Sequence, residues 1–120
     1  LQGARMGGVD KNNRTKLQGA DLGNVDLRAK RMSFVEMDET TNLKGSNMDG
    51  SFLDHSILDG IDLSGRNFAL CNLEDASLIG ADLRNVNVSS GSLAKANLTG
   101  TNLAGANLTN CNLEEAILDG

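Results

Sequence analysis

The sequence predicts an all-β solenoid, a chain that coils as a parallel β-helix of about five turns, and three observations carry that prediction. An apolar residue falls at every fifth position from Leu43 to Leu118, sixteen in succession, and thirteen of the sixteen are Leu. The residue just before each is Asn or Asp in eleven cases, and Gly follows two places later in eight. A period of five matches neither the 3.6 of a helix nor the 2 of a free strand, so the chain must bend at regular intervals.

Each unit reads as one short side of a coil. The central apolar residue and the mostly small residue two before it (Ala76, Ala81, Ala96, Ala106, Ala116) point inward, and the Asn or Asp between them points out, as strand alternation requires. The Gly or Asn that follows falls where a corner needs a positive φ. Four such sides would close a square of twenty residues. "ADLRN", "ANLTG", "TNLAG" and "ANLTN" closely resemble the repeats of the pentapeptide-repeat family, and that resemblance implies a right-handed quadrilateral β-helix. It covers residues 17–118 apart from one slip.

From the start of the chain, residues 1–16 form an irregular entry. "GGVDKNNRTK" supplies a basic, turn-rich loop over 7–16 with no apolar centre. The β-helix is predicted over 17–120. Leu17, Leu22, Leu27, Met32 and Met37 keep the beat, but Met37 to Leu43 is six residues, so "DETTN" over 38–42 holds one extra residue in a bulged corner. Lys30 and Arg66 fall at inward small positions, where a charge is costly to bury, and their stems are expected to turn outward. The pattern is already running at Leu1 and Met6 and continues to Gly120 without a visible cap. The sequence therefore reads as part of a longer polypeptide, or as a rod whose ends are covered by partners or by each other in end-to-end self-association.

Composition limits the function classes. The chain has 120 residues and aromatics at 2%, with neither Trp nor Tyr, so Leu rather than aromatic anchors fills the interior. No apolar run approaches a membrane span, and the chain reads as soluble; its compartment is not legible. A net charge of −5 argues against direct nucleic-acid binding. Residues 1–35 nevertheless carry seven bases against three acids, and residues 36–120 four against thirteen.

With twenty residues per coil, outward acids stack into columns: Asp54, Glu74, Asp75, Glu114 and Glu115 on one side, Asp59 and Asp119 on the next. These form a candidate interaction face, interrupted at Ala94 and Lys95. The resemblance to gyrase-inhibiting and quinolone-resistance members implies that an acidic stripe could mimic DNA phosphates; the plainer reading is a solvated face. A candidate basic face comprises Lys11, Arg14, Lys16, Arg28, Lys30 and Arg31. Cys71 and Cys111 fall in one inward column two coils apart, about 10 Å, too far for a disulfide, so both are expected as free packed thiols. His55, in "DHS", sits among residues that diverge on a coil, so the set is not expected to perform acyl chemistry. "NRT", "NVS" and two copies of "NLT" match the glycosylation acceptor, but the last three are what an Asn-Leu-Thr repeat produces anyway. The sequence thus predicts a non-enzymatic protein-interaction or scaffolding module, without metal or cofactor, whose protein partner it does not name. The alternative is a DNA-mimicking topoisomerase regulator.

Overall fold

The computed structural model describes residues 6–120 and shows a chain wound into stacked four-sided coils. The hydrogen bonds run along the axis, from each side to the equivalent side of the next coil. Leu63 N–H donates to the Asp82 carbonyl (2.9 Å), and Asp82 N–H donates back to the Ile61 carbonyl (2.9 Å). The same exchange recurs down the rod as isolated parallel bridges. Among the described residues, two consecutive residues pair as strands at one place alone, β1 (Thr15–Lys16) parallel to β2 (Val35–Glu36). The first side of the square carries Leu43, Leu63, Leu83 and Leu103. Met48, Phe68, Val88 and Leu108 follow on the second, Leu53, Leu73, Leu93 and Leu113 on the third, and Leu58, Leu78, Leu98 and Leu118 on the fourth.

These centres fill the axis. Every one from Leu43 to Leu98 is at most 3% exposed, whereas Leu103, Leu108 and Leu113 are half-buried and Leu118 is 56% exposed. The difference follows from stacking, because a centre is covered by the coils on both sides of it and the last coil has a neighbour on one side only. The molecule measures 32 × 29 × 24 Å, a block hardly longer than it is wide.

Corners are built by two devices. At most of them the N–H three residues past the centre returns to the centre's carbonyl, as Arg66 does to Leu63 (3.0 Å). The second corner residue takes a positive φ at every corner from Gly19 to Glu115 except the one at 38–41, the geometry of a type II turn. The second device lies in the Asn and Asp before each centre. Their Oδ1 accepts the N–H two residues on, as Asn97 does from Thr99 (3.1 Å) and Asp62 from Ser64 (2.9 Å). These are Asx turns, and they explain why the outward position prefers Asn and Asp over other polar residues.

The extra residue is confined to one corner. Bridges that span it join residues 21 apart (Asp21 with Asn42, Glu36 with Ile57), whereas those on either side join residues 20 apart. Asp38 supplies the surplus. Its carbonyl accepts Thr41 N–H (3.0 Å) and its Oδ1 accepts Thr40 N–H (2.9 Å), so this corner turns without a left-handed residue. Ahead of the coils, Met6 and Gly7 cross the third side, both N–H groups donating to the Arg31 carbonyl. A Cβ on Gly7 would lie 2.0 Å from the Ser33 carbonyl oxygen, so only glycine allows that crossing. Residues 10–13 then reverse in a tight turn capped by Asp10.

Two inward charges behave differently. Arg66 is half-buried and turns its guanidinium to the Leu43 carbonyl (3.3 Å). Lys30, expected to carry its charge outward, is instead buried at 6% exposure, beside the point where Met6 and Gly7 cross.

Candidate interaction surfaces

Leucines occupy the axis, so the side chains available to a partner are those on the flat sides and at the corners. The corner between the third and fourth sides is the most decorated. Its second position stacks Phe34, His55, Asp75, Lys95 and Glu115, all with φ between 53° and 62°, and its first stacks Ser33, Asp54, Glu74, Ala94 and Glu114.

Five of the seven predicted acids therefore share one edge, but they do not form an unbroken stripe. Asp54 is half-buried and accepts the Ser33 hydroxyl (2.6 Å). Ala94 is buried and Lys95 exposed, which separates Glu74 and Asp75 from Glu114 and Glu115. On the next corner Asp59 is consumed internally, accepting the Ser77 hydroxyl (2.5 Å) and Ile79 N–H (3.0 Å), while Asp119 is exposed.

The predicted bases scatter. Lys11 is exposed on the entry loop, Lys16 is exposed on the fourth side in β1, and Arg31 is exposed on the third. Arg28 stands at the corner between the second and third sides and holds Asp26 (2.8 Å); its hydrogen bonds pull the Asp26 carboxyl down to about 2. Arg84 pairs with Asp82 in the same way (2.6 Å) and lowers it likewise. Arg14 is half-buried, donates to the His55 carbonyl (2.5 Å) and lies over the Phe34 ring (5.7 Å). With Lys30 buried, the six bases do not share a face.

His55 is more tightly held than a corner histidine in water. Its ring stacks on Phe34 with centroids 4.9 Å apart and planes 8° from parallel. Carboxylates flank it, Asp54 at 3.9 Å from Nε2 and Asp75 at 3.8 Å from Nδ1. Ser56 faces the other way: it is buried, its hydroxyl reaching the Met32 carbonyl (3.2 Å) and accepting Val35 N–H (3.2 Å). Asp54, His55 and Ser56 thus form no nucleophilic set. Both cysteines are free thiols. Cys71 is buried, donates to the Met48 carbonyl (2.9 Å) and is pushed up to about 11 by burial; Cys111 is half-buried and raised for the same reason. Among the described residues no group of His, Cys, Asp and Glu is placed to hold a metal ion, and no helix is long and apolar enough to cross a membrane.

The apolar surface does not follow the charge pattern. Phe52 points outward from the third side and is 43% exposed, and Leu70, at the corner where that side begins, is 66% exposed with φ of 62°. The signal was present in the pattern, since Phe34, Phe52 and Leu70 stand where the repeat mostly places Gly, Asn, Asp or small residues. Phe34 is the shared wall of two hollows. One, of about 390 Å³, is lined by Gly8, Arg31, Ser33, Phe34, Phe52 and Asp54. The other, of about 560 Å³, lies around the corner between Phe34, His55, Asp75 and the entry loop. A third, of about 470 Å³, flanks the bulged corner between Lys44, Asp62 and Arg66.

Known proteins share this architecture. HetL, a pentapeptide repeat protein involved in heterocyst differentiation regulation from the cyanobacterium Nostoc, superposes with a TM-score of 0.61 at 32% identity, covering 88% of this chain and 48% of HetL. The chain therefore spans about half the length of that neighbour. Rfr23 from the cyanobacterium Cyanothece (TM-score 0.53, 20% identity, 98% of this chain and 89% of that one) shares the fold. So does QnrB1, a plasmid-mediated fluoroquinolone resistance protein (0.54, 16%, 99% and 83%). These neighbours are right-handed quadrilateral β-helices, and the fold here is the same. A comparison with curated proteins gives no match. The model of the pentapeptide repeats, in eight copies, matches residues 56–91 and 81–120, more than half of the sequence, and the chain belongs to the pentapeptide-repeat family.

Proposed function

We propose that the chain is a non-enzymatic protein-interaction module, a rigid block that presents side chains on its sides and corners to a protein partner. One observation carries this reading: the leucine series fills the axis, and the backbone along the sides is spent on coil-to-coil bonds. What remains for function is a fixed outer surface, which suits recognition. The likeness to HetL, a protein involved in regulation of heterocyst differentiation, supports a regulatory role over a catalytic one. The acidic edge is broken at Ala94 and Lys95 and spends Asp54 and Asp59 on internal bonds, so the geometry favours this reading over a DNA mimic. Crosslinking of the intact chain in an extract of its source, followed by mass spectrometry, is expected to recover a partner reproducibly. Recovery of no partner above the background of an unrelated β-solenoid would overturn the reading.

A further inference from the structure

Bulky residues seldom adopt a positive φ, because Cβ crowds the backbone there, and such strain collects where function demands a particular side chain. Among the large residues held that way, the aromatic and apolar ones are Phe34 (φ 59°), His55 (59°) and Leu70 (62°). All three border one surface. Phe34 and His55 stand at the corner where the third side ends, Leu70 stands where it begins, and Phe52 projects between them. Folding alone does not call for this arrangement, since glycine serves the equivalent corner position at Gly50 and Gly65.

The hollow between Phe34 and Phe52, about 390 Å³, has room for an apolar side chain together with a neighbouring residue of the same segment. It cannot recruit a β-strand by its backbone, because Met32 N–H donates to the Phe52 carbonyl (2.7 Å), Phe52 N–H to the Lys30 carbonyl (2.9 Å) and Leu53 N–H to the Asn72 carbonyl (2.7 Å). Recognition must run through side chains. The exposed charge beside the hollow is Arg31: it pairs with Phe52 across adjacent coils, so both project from the same face, and it is exposed with no ion pair among the described residues, whereas Asp54 is half-buried. Asp54, the carboxylate in the same hollow, is already occupied by the Ser33 hydroxyl (2.6 Å). Asp75 faces the other hollow, around the corner.

We propose that the third side, between the Phe34–His55 corner and the Leu70 corner, is the docking site for an acidic peptide segment of a partner protein. One apolar side chain of that segment seats between Phe34 and Phe52, and a neighbouring Asp or Glu pairs with Arg31. This deepens the reading of the rod as an interaction module and rests on it. Aromatic and arginine anchors are the residues from which such interfaces draw most of their affinity.

Selection of short random peptides displayed on phage against the intact chain tests the site. Recovered peptides are expected to share an apolar residue beside Asp or Glu. Their affinity, read by fluorescence polarisation, should fall on the order of tenfold or more with Phe52→Ser and with Arg31→Glu. Arg31→Glu should in turn accept versions carrying Lys in place of the acid. Leu70→Gly separates binding from folding: it relieves a strained corner, so the melting temperature should hold or rise while affinity falls. Peptides that bind Phe52→Ser and Arg31→Glu as well as the parent chain would overturn the site and leave the interaction module standing. Enrichment of basic peptides would do the same. Retention of no peptide would overturn the site and count against the module as well.

Discussion

Leu63→Ala and Leu118→Ala make the same chemical change at two places in one pattern, and the structure assigns them different costs. Leu63 is 1% exposed with a coil on either side of it, so its removal leaves a cavity that both neighbours must line. Buried Leu→Ala changes cost 2–5 kcal/mol, and about 3 kcal/mol is expected here. At roughly 2 cal/mol/K of unfolding entropy per residue, each kcal/mol moves the melting temperature of a chain this size by about 4 °C, giving a loss of about 12 °C. Leu118 is 56% exposed on the last coil, so the same truncation should cost about 1 kcal/mol or less, a fall of roughly 4 °C at most. Scanning calorimetry reads both, and also reveals whether an end coil melts separately, as nearest-neighbour stacking allows. Losses from the two variants within about 0.5 kcal/mol of each other, the ordinary scatter of a surface change, would refute the claim that coil-on-coil coverage sets the worth of each leucine.

Further predictions concern single residues. Gly91 occupies an inward small position where the repeat favours Ala, yet a Cβ there would sit 2.7 Å from the Cys71 carbonyl oxygen; Gly91→Ala is expected to destabilise by about 1–3 kcal/mol in urea titration, and a gain in stability would show that the coils part freely. Two thiols should react with a disulfide reagent in denaturant. In the native state Cys111 should react well before Cys71, whose burial-raised value of about 11 leaves about one thiolate in a thousand at pH 8; equal native rates would refute that burial. Asp26, held down to about 2 by Arg28, should stay ionised in carboxyl NMR titrations after ordinary aspartates have protonated. Because its folded value is depressed, whatever stability the pair contributes is present above the usual aspartate range and is lost as pH falls toward 2. Arg28→Ala should return Asp26 toward the ordinary value, and an unmoved titration would place the cause elsewhere.

The period of five carried the architecture because it is enforced at every coil: an off-beat residue would face the axis or abandon the square. Hence the leucine columns, the paired positions of Cys71 and Cys111 and the surplus residue near Asp38 were all readable from spacing. Side-chain detail was less so. Asn and Asp were legible as outward residues, but their bond to the N–H two residues on depends on the turn that follows, which spacing does not describe. Lys30 was expected outward because a buried charge is costly, and it is instead buried beside the point where Met6 and Gly7 cross, a crossing that the repeat spacing does not foretell. The apolar surface of Phe34, Phe52 and Leu70 escaped because the columns were weighed by charge, whereas these residues stand out as large side chains at positions that need none.

The corner at Asp38 also says something about how such a molecule can be altered. It takes in a whole additional residue, closes with its own carboxylate and carbonyl, and hands the chain on with the following coils back at a spacing of twenty. Length is therefore negotiable at an edge even though it is rigid along a wall, so that segments grafted at residues 38–41 should leave the decoration of every later wall in its original alignment.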